Sequence, residues 1–448
     1  MALKVRELYC PSHFGNTYVV ALANEMREHL SEARFWGLNR FSDWFDTVDL
    51  YNVYEKKHNL FNMPEAMWAR KFANFQAAAG LGYELSLAIT PNHVFSDQVT
   101  PANEAAKNDR IFGQLVCPSK PGVPELILRN YRRLFEDFRR RDLRLRALSA
   151  CPYDYGGCAC DACRPWIVTF GKLYRQIGDL AREFFGDIEL NLIGWWWSDE
   201  EHQEFAAWAD REAPGLFASM AYHLPYGVTD YAVRPVPRGC RVRAFVHIGY
   251  GEGGNDWDRY GHWGPPIAPL RIEKTCRYLA ARGAEGFMAY SEGASDDVNK
   301  AVLGGLTSDQ YRSADDVLVA YAARHFGENS QGWAEWIRTM GAPRDADLVK
   351  MRKDFERLAA HCTRTWRMHQ LEQRLALFEA DAAGMKATSD AERQRAATAF
   401  WSAKEQLYRP IWGLGLARHI FAFDCAYFLP KWLNPPPPNQ DGGKQPEA

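Results

Sequence analysis

Four cysteines, Cys151, Cys158, Cys160 and Cys163, fall within the stretch CPYDYGGCACDACRPW. Thiolates this close together are soft ligands, and in a reducing compartment a tetrahedral sulfur set suits zinc better than it suits two disulfides. Gly156 and Gly157 let the chain turn back so that Cys151 can join the CxCxxC hairpin, with Cys117 or Cys10 as substitutes for one ligand. Thiols that pin the loop by packing alone are the alternative. A metal held by four sulfurs keeps no open position for water, so such a zinc is structural and any catalysis must come from elsewhere.

The remaining chemistry lies in carboxylates and large rings that follow apolar runs. Asp154 sits inside the cysteine stretch, GWWWSDEE places Asp199 and Glu200 behind Trp195, Trp196 and Trp197, and AYSEGASDD carries Glu292, Asp296 and Asp297. TPNHVF adds His93, AYHLPYG adds His223 and Tyr226, and VHIGYGEGGNDW adds His247, Tyr250 and Trp257. Cleavage of a glycosidic bond needs one protonated acid at the leaving oxygen and one carboxylate acting as nucleophile, base or orienter. Rings that desolvate one acid of such a pair separate the two pKa values. Asp154 and Glu292 are therefore expected to be catalytic, with Asp199 and Glu200 as substitutes for the acid. The rings and histidines, with Asp296 and Asp297, are expected to contact substrate. Structural roles compete: Asp199 and Glu200 also stand where they would cap a helix from Glu201, Asp296 and Asp297 where they would cap VNKAVLGGL, and one tryptophan belongs in a core. Asp154 also stands where it would brace the metal loop.

The elements that must position these residues alternate. Strands are expected at Val5 to Tyr9, Phe35 to Leu38, Glu84 to Ile89, Leu143 to Leu148, Ile188 to Ile193, Phe217 to Tyr222, Val242 to Ile248 and Glu285 to Tyr290. Helical spacers separate them; ELILRNYRRLFEDFRRR, for instance, puts Leu126, Ile127, Tyr131, Leu134, Phe135 and Phe138 on one stripe. This pattern predicts an α/β fold, a (β/α)8 TIM barrel whose strand C-termini carry the chemistry. Neither GxGxxG after the first strand nor GxxxxGK[ST] occurs, which removes the usual nucleotide-binding signatures. From Ala314 onward the pattern becomes mostly helical. The expected division is a barrel over 1–312, a helical C-terminal domain over 313–433 and a disordered Pro-rich tail over 434–448.

The totals narrow the partners. With 448 residues, 47% of them hydrophobic, the chain can bury a full-sized core, and a formal charge of -2 makes no field that gathers phosphate backbones. The basic run from Arg132 to Arg146 is broken by acids and apolar residues, so it reads as a solvated helix face rather than a nucleic-acid site. No stretch approaches the roughly 18 apolar residues of a membrane span, and a cytoplasmic location is expected. The helical domain and the aromatic segment near Trp412 serve either to pack on the barrel or to form a homo-oligomer interface.

On these residues the chain resembles the TIM-barrel glycoside hydrolase superfamily, and within it bacterial family-20-like proteins with a DG-G-C-C-x-x-C loop. CPYDYGGCACDAC is similar to that loop at Asp154, Gly157, Cys158, Cys160 and Cys163, with Tyr155 where glycine is usual. LVCPSKP and YSEGASDDVNK are also similar to segments of such hydrolases, and the resemblance spans about residues 5 to 340. The CxCxxC element further resembles the zinc cluster of family 42 β-galactosidases, whose asparagine–glutamate acid pair is absent here. The resemblance implies a sugar substrate and no organic cofactor. It does not carry over the family 20 acid, because Asp154 is followed by Tyr155 where an aspartate–glutamate pair is expected. The combined reading is an exo-acting glycoside hydrolase, the exo mode resting on long aromatic rim loops. Two alternatives stay open: a metal-dependent hydrolase or lyase on the same barrel, using His93, His223 and His247, and a non-catalytic carbohydrate-binding barrel.

Overall fold

The computed structural model describes residues 1–12, 17–55, 63–153, 155–229, 234–249, 266–342, 346–407, 430 and 432–433. Eight strands pair in parallel and in chain order, and the last returns to the first to close a barrel. They are β1 (Val5–Tyr9), β2 (Arg40–Trp44), β3 (Glu84–Ile89), β4 (Leu145–Ala150), β5 (Glu189–Gly194), β6 (Ser219–His223), β7 (Arg241–His247) and β8 (Gly286–Tyr290). The helices between them are α1 (Thr17–Val20), α2 (Ala23–Phe35), α3 (Met63–Gly80), α4 (Val123–Arg140), α5 (Trp166–Phe185), α6 (Asp199–Glu212) and α7 (Pro269–Ala281). After β8 come α8 (Asp297–Thr307), α9 (Ala314–Phe326), α10 (Ser330–Met340), α11 (Leu348–Ala359), α12 (Trp366–Lys386) and α13 (Asp390–Leu407). The barrel and the largely helical region after it are thus as expected. The segment from Trp412 lies outside the described residues except for Pro430, Trp432 and Leu433, and the tail from 434 lies wholly outside them.

The second strand is displaced from its expected place. FWGL does not form it: α2 runs through Phe35, Gly37 at φ 97 turns the chain, and the strand starts at Arg40. Its alternate residues Arg40 and Ser42 are polar because they face the inside of the barrel, which is polar at this level.

The barrel interior changes character along its axis. Near the strand starts, Arg40 reaches across to Glu189 at 3.0 Å and sideways to Glu84 at 2.6 Å, while Arg243 pairs with Glu285 at 2.7 Å. Above this charged layer, Ser219 donates to Asn191 at 2.7 Å and Ser86 meets Ser149 at 3.3 Å. Higher still the filling is apolar, with Tyr9, Trp44, Ala88, Ile193, Ala221, Phe245, Met288 and Tyr290 in one buried cluster. Charges of the basic run are used inside the chain: Arg140 and Arg141 pair with Asp137, and Arg146 with Glu189.

The helical region is tied to the barrel at the start of α8. Asp297 accepts hydrogen bonds from the Tyr321 hydroxyl of α9 at 2.8 Å and from Arg367 Nε of α12 at 2.5 Å. Burial pushes the Asp297 carboxyl up, but Arg367 and Lys300 outweigh burial and hold it well below the usual carboxylate range. That stabilisation is present above the ordinary carboxylate pKa and is lost as the pH falls toward the depressed value. Asp297→Ala leaves Arg367 buried without its carboxylate, so it is expected to cost about 3 kcal/mol, read as a lowered urea midpoint. At a pH low enough to protonate Asp297, wild type and variant converge.

Candidate active site

The residues with unusual chemistry gather past the C-terminal ends of the strands, where a closed parallel barrel carries its working loops. Glu292 follows β8 by two positions and is fully buried. No hydrogen bond of ordinary geometry reaches its carboxylate oxygens among the described residues, although the Tyr290 side chain lies close enough to interact with them. Burial pushes the Glu292 carboxyl up to about 8, with the Tyr290 side chain opposing the rise and Asp296 adding to it. The group is therefore a protonated acid at neutral pH, the state a proton donor needs.

The backbone around Glu292 is held tightly. Its N–H donates to Asp296 Oδ2 at 2.5 Å, and Ser291 Oγ donates to Asp296 Oδ1 at 3.0 Å. Lys300 pairs with Asp296 at 3.1 Å and donates to the Gly293 carbonyl at 2.6 Å. Two glycines allow this closeness: a Cβ on Gly249 would lie 2.4 Å from Glu292 Cγ, and one on Gly293, at φ 103, would lie 2.2 Å from Thr17. Asp296 and Asp297, expected to contact substrate, instead brace this loop and the helical region, both fully committed to buried partners.

Rings wall the mouth beside this acid. Trp195, half-buried after β5, lies 4.5 Å from the His223 ring and 4.7 Å from the His247 ring, centroid to centroid. His223 and His247 are 5.2 Å apart, and His247 is 4.9 Å from Tyr290, which in turn packs edge-on against Tyr9 at 5.7 Å. Tyr9 and Tyr290 were not singled out in the sequence, although their inward parity at strand ends is the signal that would have found them.

Other expected contacts take different roles. Trp197 is buried against Phe170 and Phe205, so it is core. Tyr226 is buried beneath the Arg271 guanidinium, 4.5 Å over its ring. Asp199 and Glu200 are exposed in the first turn of α6; Asp199 pairs with Arg234 at 2.7 Å, and a capping box of Ser198 and Glu201 begins the helix. They stand at a helix start rather than in the hollow, as helix-capping chemistry dictates. His93 is buried too: its Nε2 lies 2.5 Å from the Tyr155 carbonyl, its Nδ1 3.4 Å from Asp46, and its ring stacks on Trp44 at 5.4 Å. A carbonyl only accepts, so Nε2 carries the proton and His93 clamps the loop after β4 rather than a sugar. Asp154, Tyr250 and Trp257 lie outside the described residues.

The cysteine group differs from expectation in one member. The sulfurs of Cys117, Cys158, Cys160 and Cys163 lie within 4.8 Å of one another, and Cys117 is 3.7 Å from both Cys160 and Cys163. A tetrahedron with metal–sulfur bonds of about 2.3 Å has edges of about 3.8 Å, so this set fits a metal ion. Cys163 donating to Cys158 holds the Cys158 thiol well below its usual range and raises its own correspondingly. Cys151 continues the inward parity of Ser149 and packs against the apolar interior cluster, away from the group. Asn92 joins the two loops that supply the sulfurs: its Nδ2 donates to the carbonyls of Val116 and Gly157 at 2.9 Å, and its Oδ1 accepts from Gly157 N at 3.0 Å.

The fold and site together define a closed TIM barrel with a four-cysteine group able to hold a metal beside its mouth. No family model matches the chain, and no curated protein matches it. Among solved structures it is similar to a point mutant of O-GlcNAc hydrolase from Thermobaculum terrenum, at 8% identity over 90% of this chain and 88% of that one, with a TM-score of 0.50. It also matches CpGH84D, at 8% identity over 90% of this chain and 69% of that one, TM-score 0.48. The endo-1,4-β-mannanase from Rhizomucor miehei matches at 10% identity over 69% of this chain and 95% of that one, TM-score 0.45. At such identities the likeness is one of fold.

The cysteine geometry predicts that Cys117→Ser loses bound metal and lowers Tm, whereas Cys151→Ser keeps both. Metal content per chain by mass spectrometry and thermal melts of the purified variants check this.

Proposed function

We propose that the chain is a glycoside hydrolase in which Glu292 is the general acid. The observation that carries this reading is a fully buried carboxyl with no hydrogen bond of ordinary geometry among the described residues, raised to about 8 by burial against the opposing pull of Tyr290. Such a group gives its proton readily to an oxygen that gains negative charge as a glycosidic bond breaks. Trp195 offers an apolar face for a sugar ring, and His223 and His247 beside it suit hydroxyl groups. The counter-carboxylate we propose is Asp154, in the loop that His93 clamps. A carboxyl separation of about 5 Å goes with retention and of about 6.5–9.5 Å with inversion.

Zinc is our candidate for the four-cysteine group, in keeping with a reducing, cytoplasmic setting. With Cys117, Cys158, Cys160 and Cys163 all bound, it would staple the loops after β3 and β4 and offer no position for water. The metal-dependent alternative lacks support, since the cysteine set is the one metal-ligating group among the described residues. The likeness of the Asp154 loop to family-20-like proteins is offered for the hydrolase class, and the exo mode rests on the long aromatic rim loops.

A panel of chromogenic monosaccharide glycosides, including amino and uronic sugars, tests the reading. At least one is expected to turn over, with kcat/KM falling as the pH rises through about 8 and Glu292 ionises. Glu292→Gln is expected to lower kcat by about 10²–10⁴ with the fold intact, and Asp154→Asn to do likewise. Binding without turnover across the panel would reject the enzyme and leave a carbohydrate-binding barrel.

The same acid has a thermodynamic signature. A carboxyl whose folded pKa is raised from 4.5 to about 8 contributes fully to stability below 4.5 and progressively less up to 8. Glu292→Gln removes this loss, so it is expected to exceed wild type in stability by on the order of a few kcal/mol at pH 8, with the advantage shrinking to nothing near pH 4. Denaturant melts across that range check it.

A further inference from the structure

Trp196 is an exposed tryptophan in a costly position. It is 41% exposed, yet its backbone is left-handed at φ 62, a conformation that disfavours a bulky side chain. Its carbonyl accepts from Arg110 NH2, and Arg110 is itself fixed by Glu201 at 3.1 Å and lies 3.9 Å over the Tyr153 ring. A loop from after β3 thus reaches over to hold one turn after β5. Nothing in core packing requires this, because the ring that fills the core here is Trp197.

The arrangement makes an aromatic ridge that starts at the sugar site and runs outward. Trp195 and Trp196 stack at 5.8 Å with 23° between their planes. Phe112 lies 6.2 Å from Trp196 and 4.9 Å from Tyr155. Tyr155 is also left-handed, at φ 64, and Gly113 makes room for its ring: a Cβ there would lie 3.2 Å from Tyr155 Cδ1. Two strained ring-bearing residues on neighbouring loops, each braced by a residue from the β3 loop, point to a surface whose shape is used.

We infer that Trp196, with Phe112 and Tyr155, forms an outer binding site that stacks on the ring attached to the sugar held at the inner site, so that the ligand is a glycoside with a flat or sugar-ring aglycone. The occupant follows from continuity: Trp195 stands edge-on to His223 and tilted against His247 at the inner site and presents its face to Trp196, so a ligand leaving the inner site meets Trp196 next. The inference rests on the mouth being a sugar site, and its test separates it from the hydrolase reading.

Binding of 4-nitrophenyl glycosides and of the matching free monosaccharides is measured by calorimetry on wild type, Trp196→Ala and Trp196→Phe. The nitrophenyl ring serves as the outer ring whichever sugar fits inside. Wild type is expected to bind at least one nitrophenyl glycoside more tightly than its parent sugar, by about three- to tenfold for one stacked ring. Trp196→Ala erases that difference without weakening the monosaccharide, and Trp196→Phe retains most of it. Where turnover is seen, Trp196→Ala raises KM for the nitrophenyl glycoside and leaves kcat/KM for the corresponding glycosyl fluoride, which has no outer ring, unchanged. No preference for the nitrophenyl compounds in wild type, or a preference that survives in Trp196→Ala, overturns the inference. Ring-dependent binding without any hydrolysis upholds it while removing the hydrolase reading.

Discussion

A carboxyl group shut away from water, with no well-formed hydrogen bond among the described residues, is unfavourable in any fold, and the mouth of this barrel is organised around keeping one there. Glu292 is fully buried, with Gly249 packed close against its side chain and Tyr290 beside it, so it has no solvent to ionise into. Its backbone, by contrast, is satisfied: the N–H donates to Asp296, which Lys300 neutralises in turn, and the carbonyl accepts from Thr17 N. The chain thus separates the two ends of the residue: the peptide is anchored by charge and the side chain is starved of it. Such an acid is stable only as the neutral species, and that is the species able to donate a proton.

The loops around it are held by devices that do not themselves enter the hollow. Asn92 and His93, adjacent in sequence after β3, reach in different directions, one to the cysteine turn and one to the Tyr155 carbonyl. The cysteine group draws Cys117 to a hairpin some forty residues onward, as the separation of 43 positions between Cys117 and Cys160 shows. These connections fix the β3 and β4 loops to each other, and the His93 ring, stacked on Trp44, seats them on the apolar cluster inside the barrel.

Much of the fold was legible because burial on a sheet face and on a helix stripe leaves periodic marks. β1 and β3 lie within the same bounds that periodicity assigns. β2 was not legible in that way, since an inward Arg40 and Ser42 reverse the usual sign of the pattern. The site was readable where chemistry is local. Glu292 stands out as an acid between Ser291 and Gly293 after an apolar strand, whereas Asp199 and Glu200 obey an equally local rule and begin a helix. Pairings over long separations were harder: nothing adjacent to Cys117 marks it as the partner of the hairpin in place of Cys151. Trp196 and Trp197 are neighbours of identical type, and only the turn between them decides which is exposed and which is core.

The charged layer at the far end of the barrel carries a consequence for how this chain can diverge. Arg40 and Arg243 are almost wholly enclosed and share Glu189 between them. Losing any one member would strand its opposite in a medium that solvates ions poorly. Drift at these positions is therefore confined to compensated exchanges, two or three at once, while exposed rim residues such as Trp196 can change singly. Descendants of this scaffold should keep their ionic keel and vary in what they grip.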